Sequence, residues 1–140
     1  MTLISAQAVG PEKAIVLGVP VNVISFTGAQ DRVLAWGQAH ESRYVVLANV
    51  HVVVTASTEP DFGAVVAAAD MATPDGAPVA WMLRKLGHAG QGRVSGPDLT
   101  QPLARVWAAA LAPMRKFCFA QSHRWLYACR WTVAIYELNR

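Results

Sequence analysis

Asp75 lies between Pro74 and Gly76 in the stretch Met71-Ala72-Thr73-Pro74-Asp75-Gly76-Ala77-Pro78-Val79-Ala80-Trp81. It is a lone carboxylate at a point where the chain must turn sharply before an apolar helical segment. Backbone geometry rather than packing holds such a group, and a carboxylate so held can remove the proton from a hydroxyl nucleophile. Two other segments offer matching chemistry. Ala48-Asn49-Val50-His51 places an amide where a strand should end, suited to a sugar or base edge, and Arg93-Val94-Ser95-Gly96-Pro97-Asp98-Leu99 places a guanidinium before a helix start, suited to a diphosphate. Base, amide and cation together are the equipment for glycosyl transfer from a nucleotide sugar. Pro-Asp-Gly is equally an ordinary turn, and polar residues at strand ends are routine helix caps, so spacing alone leaves both readings open.

Other candidates carry less. His51 can be read as a ligand or acid, or as a structural residue at the start of an apolar helix. Gly76 and Gly96 form neither a Gly-x-Gly-x-x-Gly loop nor a P-loop, and no Ser-His-Asp order stands out. Cys118 and Cys129 are the two cysteines, without a Cys-x-x-Cys pair or neighbouring ligands, which argues against a zinc site and a disulfide framework and fits a reducing cytoplasm. No metal and no cofactor is expected.

The elements that must position these groups follow from periodicity. Met1 to Pro11 reads as a loose lead-in. Ile15-Val16-Leu17 and Val19 to Ile24 predict a small hairpin, with Gly18 and Pro20 restricting the second strand to an edge or bulge. Thr27 is a plausible N-cap for a helix reaching about His40. Tyr44 to Ala48 is a continuous apolar run, the mark of a strand buried on both faces of a parallel sheet, with Asn49 at its carboxyl end.

A helix from Val50 to about Thr55 is expected to break near Ser57 and resume from Glu59 or Pro60 to about Ala69. Met71-Ala72-Thr73 reads as a short strand pointing at Asp75, and Ala77 to Leu86 as a helix closed by Gly87. His88 to Gly92 is expected to be a flexible loop. Pro97 to Leu111 should be helical, with Ser95 or Gly96 near its cap. Lys116 to Ala120 suits a strand, and the last part of Gln121–Arg140 a weak helix.

The alternation predicts an α/β architecture: a mainly parallel sheet flanked by helices, Rossmann-like, in which ligands bind beyond the carboxyl ends of strands. Asn49 and Asp75 both fall there. With 140 residues, 54% hydrophobic and 15% charged, the chain is globular and suits one domain. The domain is expected over residues 1–112, followed by a basic, aromatic tail over 113–140.

The net charge of +3 belongs to that tail: residues 1–112 hold seven Lys or Arg against eight Asp or Glu, and residues 113–140 hold five against Glu137 alone. Trp125, Tyr127, Trp131 and Tyr136 accompany these cations. The mixture suits a membrane surface or an acidic partner, or is simply an unordered end. No signature of nucleic-acid binding is present. No apolar run reaches the roughly eighteen to twenty residues of a spanning helix, and no leader pattern is visible.

Gly18-Val19-Pro20-Val21-Asn22-Val23-Ile24-Ser25, Ala48-Asn49-Val50-His51, Ala69 to Val79 and Arg93 to Leu99, in that order, resemble the WecG/TagA/CpsF family of bacterial glycosyltransferases over about Gly18 to Leu111. The resemblance implies an inverting enzyme that moves a hexose or N-acetylhexosamine, such as N-acetylmannosamine, from a UDP-sugar to a sugar carried on an undecaprenyl-diphosphate lipid. Its setting would be the cytoplasmic face of the cell membrane, in the synthesis of teichoic-acid linkage units, enterobacterial common antigen or exopolysaccharide, without a tightly held metal.

By the same resemblance Asp75 is the catalytic base, Asn49 a strand-end substrate contact and Arg93 a substrate-binding arginine. Thr73, Gly76 and Asp98 in the same motifs complete the substrate-binding set. Leu47 stands where the family often has a hydroxyl residue, and Asn22 where an aspartate is usual. The family continues beyond this length, so the chain is expected to be truncated, its tail over 113–140 non-native, and its fold incomplete and prone to self-association as a homo-oligomer. A catalytically inactive remnant that binds UDP-sugar, membrane or partners is the alternative reading.

Overall fold

The computed structural model of the chain describes residues 12–39, 41–101, 119–121 and 133–137. Lys13–Val16 (β1) and Val19–Asn22 (β2) pair antiparallel, with Val16 opposite Val19. Leu17 and Gly18 between them both have positive φ, 50° and 81°, the backbone sign that a tight two-residue hairpin turn requires at both positions. Pro20 is accommodated because the two-stranded sheet leaves both strands as edges.

Phe26–Gln38 (α1) starts two residues earlier than Thr27 as a cap would allow. Ser25 is the N-cap, its hydroxyl accepting from Gly28 N at 3.0 Å. The chain then enters Arg43–Ala48 (β3), turns into Val50–Thr58 (α2), and after Glu59 into Pro60–Ala67 (α3). The break between these two helices falls at Glu59 rather than Ser57, because Pro60 takes the first turn of α3, where its missing N–H costs no hydrogen bond. Met71–Pro74 (β4) pairs parallel with β3, and Ala77–Lys85 (α4) follows. A further helix, α5, starts at residue 96 and is described to residue 101.

Phe119–Gln121 (β5) and Val133–Glu137 (β6) complete a four-stranded parallel sheet in the order β4-β3-β6-β5. Here the expectation of a weak terminal helix is corrected for residues 133–137. Val133-Ala134-Ile135-Tyr136 is a β-branched and aromatic run that pairs along β3, from Arg43 opposite Val133 to Val46 opposite Tyr136. The lead-in to Pro11, both cysteines, the remainder of the helix expected to Leu111 and the boundary expected at 112 lie outside the described residues.

The sheet has a core on each face. Val46 and Ala48 of β3 pack with Ala72, with Val52, Val53 and Ala56 of α2, Val66 of α3, Val79 and Leu83 of α4, and the hairpin valines. Val45 and Leu47, pointing the other way, pack with Met71, Ala29 and Val33 of α1, Val94 and Leu99. That is why the 44–48 run contains no polar residue. Burying side chains of this size contributes about 1.5–3 kcal/mol each.

Polar bonds at the strand starts set where β4 runs. Asn22 is buried, and its Oδ1 accepts from Ala72 N at 2.7 Å, so the hairpin satisfies the exposed edge of β4. Asp70 accepts from Arg43 Nη1 at 2.8 Å and from Tyr44 N at 2.9 Å, joining the entrances of β3 and β4. Asp70 first, then Glu41, pushes the Arg43 pKa above its ordinary value through charge-assisted hydrogen bonds.

Candidate active site

The parallel register brings the carboxyl ends of β3 and β4 together: Leu47 lies opposite Thr73 and Ala48 opposite Pro74. Asn49 and Asp75 are the next residues after the two strands, and Asp75 N extends the ladder by donating to Ala48 O at 3.2 Å. The third segment is anchored to the same edge, since Val94 N donates to Pro74 O at 2.9 Å. Three stretches distant in sequence, carrying Asn49, Asp75 and Arg93, therefore meet where an open α/β sheet binds its ligands.

Each expected site residue has a definite local role. Asn49 is the N-cap of α2: its Oδ1 accepts from Val52 N at 2.9 Å. Among the described residues its Nδ2 has no hydrogen-bond partner, so the amide can cap the helix with one end and meet a ligand with the other. An Asn49→Ala change is expected to remove about 1 kcal/mol of stability together with any ligand contact. Asn49→Ser keeps the cap, so weakened donor binding with unchanged thermal stability in that variant isolates the contact.

Gly76, at φ 87° and ψ 150°, forms the N-cap of α4 without a side-chain cap. It turns the chain immediately after Asp75, which is half-buried. Thr73 is wholly buried, and among the described residues its Oγ1 has no hydrogen-bond partner. Arg93 and Asp98 form an ion pair at 3.3 Å with side chains 55% and 59% exposed. Asp98 Oδ2 also accepts from the Ser95 hydroxyl at 2.6 Å, and Leu99 N donates to Ser95 O, so Ser95 and Asp98 form the first turn of α5. Asp98 thus acts here as the orienting partner of Ser95 and Arg93. An ion pair so exposed is worth little, and Arg93 can exchange it for a ligand anion at small cost.

The loop expected to be flexible is instead clamped. The Gln91 amide is buried and behaves like a strand partner: Oε1 accepts from Ile24 N at 3.0 Å, and Nε2 donates to Ile24 O and Gly92 O, both at 2.7 Å. Arg84 Nη1 donates to Gln91 O at 2.8 Å. The bonds fix the loop two residues before Arg93, a role that nothing in the spacing of Gln91 among small residues announced. His51 is exposed near the start of α2, and among the described residues no bond of its side chain ties it to the cluster.

Among the described residues, no three His, Cys, Asp or Glu side chains are grouped to hold a metal ion, and no helix is long and apolar enough to cross a membrane. The arrangement gathers the Asp75 carboxylate, the Asn49 amide, the Arg93 guanidinium with its Asp98 partner and the buried Thr73 hydroxyl around a sheet edge. In sequence, the profile described as Glycosyl transferase WecG/TagA/CpsF family matches residues 14–126. No curated protein matches the chain.

Proposed function

This chain belongs to the WecG/TagA/CpsF family of glycosyl transferases, and from that premise we propose that it transfers a hexose or N-acetylhexosamine, of the N-acetylmannosamine kind, from a UDP-sugar to a sugar on an undecaprenyl-diphosphate lipid, inverting the anomeric centre. The observation that carries the reading is the convergence of Asn49, Asp75 and the Arg93 segment on one edge of the parallel sheet. The family supplies the reaction type, and the convergence supports the roles.

In this reading the Asp75 carboxylate takes the proton of the acceptor hydroxyl as its oxygen forms the new bond to C1 of the donor sugar. The bond from C1 to the diphosphate oxygen breaks on the opposite face, which inverts the centre. Arg93, released from Asp98, receives the negative charge left on UDP. The Asn49 amide binds the sugar, and Gly76 lets the chain turn so that Asp75 faces it. We place the work at the cytoplasmic face of the cell membrane, where such a lipid-linked acceptor presents its sugar, within cell-surface polysaccharide synthesis. The fold is read as Rossmann-like on the strength of its parallel order and strand-end site.

The test is transfer from radiolabelled UDP-N-acetylmannosamine, UDP-N-acetylglucosamine and UDP-glucose to synthetic undecaprenyl-diphosphate-linked N-acetylglucosamine, with the product's anomeric configuration read by NMR. Acceptor-dependent UDP release with inversion is expected for one of the three donors. Binding of a donor without turnover on any acceptor sugar would favour a non-catalytic sugar-nucleotide binder instead.

A further inference from the structure

Thr73 is the residue whose chemistry the fold leaves unused. Its side chain is fully buried, and Oγ1 is the buried side-chain polar atom that lacks a hydrogen-bond partner among the described residues. Burying a hydroxyl unpaired destabilises a protein, so such an atom calls for an explanation at its own site. Its position is specific. Met71 packs in the α1 core and Ala72 in the opposite one, so the alternation along β4 sends Thr73 to the α1 face, beside its register partner Leu47. Asp75 follows two residues later, its N–H still on the ladder, and continued strand alternation would put the carboxylate on the same face as the hydroxyl.

Beside α1, the segment leading into α5 lies over that face, with Val94 and Leu99 in the same core. Val94 N is bonded to Pro74 O, and Gly96 lies so close to Leu47 that a Cβ there would run into Leu47 Cδ1. The outer tie of this segment is the exposed Arg93–Asp98 pair. When Arg93 turns to an anion, that outer tie is given up, and the Val94 N–Pro74 O bond and the buried Val94 are what remain to hold the segment.

We infer that Thr73 is a specificity-determining residue: its hydroxyl hydrogen-bonds a hydroxyl or acetamido group of the donor sugar held beside Asp75, after the Arg93–Gly96 segment has moved. The inference rests on the glycosyl-transfer reading and adds to it a criterion for the donor. A dry site that pairs one hydroxyl with a sugar's polar group rejects the sugar lacking that group much more strongly than an apolar pocket rejects an extra methylene.

The test compares wild type, Thr73→Val and Thr73→Ser, with UDP-N-acetylmannosamine, UDP-N-acetylglucosamine and UDP-glucose as probes. Without probe, Thr73→Val should melt no lower than wild type, because it replaces an unpaired hydroxyl by a methyl of the same shape. With the probe that wild type binds best, Thr73→Val should bind at least roughly ten-fold more weakly and Thr73→Ser within a few-fold of wild type.

A marked fall in the melting temperature of probe-free Thr73→Val would show that the hydroxyl already serves the ligand-free fold, and would overturn the assignment. Equal affinity of wild type and Thr73→Val would also overturn it, while leaving sugar transfer standing. A wild-type chain indifferent to all three probes in binding and transfer would overturn both.

Discussion

Asp75→Asn is expected to lower the rate of sugar transfer by roughly 10²- to 10⁴-fold, the usual cost of removing a positioned general base. The amide has the size and shape of the carboxylate, and the Asp75 N bond to Ala48 O is a backbone bond, so the turn is expected to survive. Donor affinity should also survive, because the partner proposed for the diphosphate is the Arg93 side chain, which pairs with Asp98 and is untouched by the change. The signature is therefore a collapse in kcat with little change in donor KM, which marks an interaction made in the transition state. If Asp75→Asn transfers sugar at the wild-type rate, Asp75 is not the base, and the reading of this sheet edge has to start from another group.

Much of this edge was legible before any coordinates, and the reason is local. Tyr44 to Ala48 announced a strand buried on both faces because every residue is apolar, and the two cores use its residues alternately. Pro74-Asp75-Gly76 announced a turn because its residue types restrict the backbone, and Gly76 has the positive φ that this implies. What stayed hidden depends on partners distant in the chain. Val133 to Tyr136 is too short a run to choose between helix and strand until β3 is beside it. Gln91 lies among small residues that read as a flexible loop, and it becomes a clamp through Ile24, 67 positions away.

Ser25 and Thr27 are both good caps, and only the bond to Gly28 N decides between them. Among the site residues, Asp98 and Arg93 carried opposite charges in one motif, and each is now partly occupied with the other. Spacing could place them in the site but could not divide the roles, since a charged pair at a helix start serves the helix as readily as a ligand.

Gly76→Ala tests whether the Asp75 turn has the required geometry. A Cβ at Gly76 would meet only Pro78 Cδ, at an ordinary 3.7 Å, so space is not the obstacle. The obstacle is the backbone: φ 87° with ψ 150° is a region that L-residues with a side chain avoid. Holding alanine there is expected to cost about 1–3 kcal/mol, a large share of the roughly 5–15 kcal/mol that a domain has in total. Relaxing that strain would rotate the peptide that follows Asp75, so transfer should fall more than the loss of folded protein explains. Gly76→Val should be worse on both counts, because a β-branched residue tolerates positive φ least.

A D-alanine placed at position 76 by semisynthesis separates the causes. It has the same methyl group but favours positive φ, so it should restore both melting temperature and transfer. An L-alanine variant as stable and as active as wild type would mean that Gly76 does not hold this conformation in solution. The carboxylate before it would then not be aimed by the turn at all.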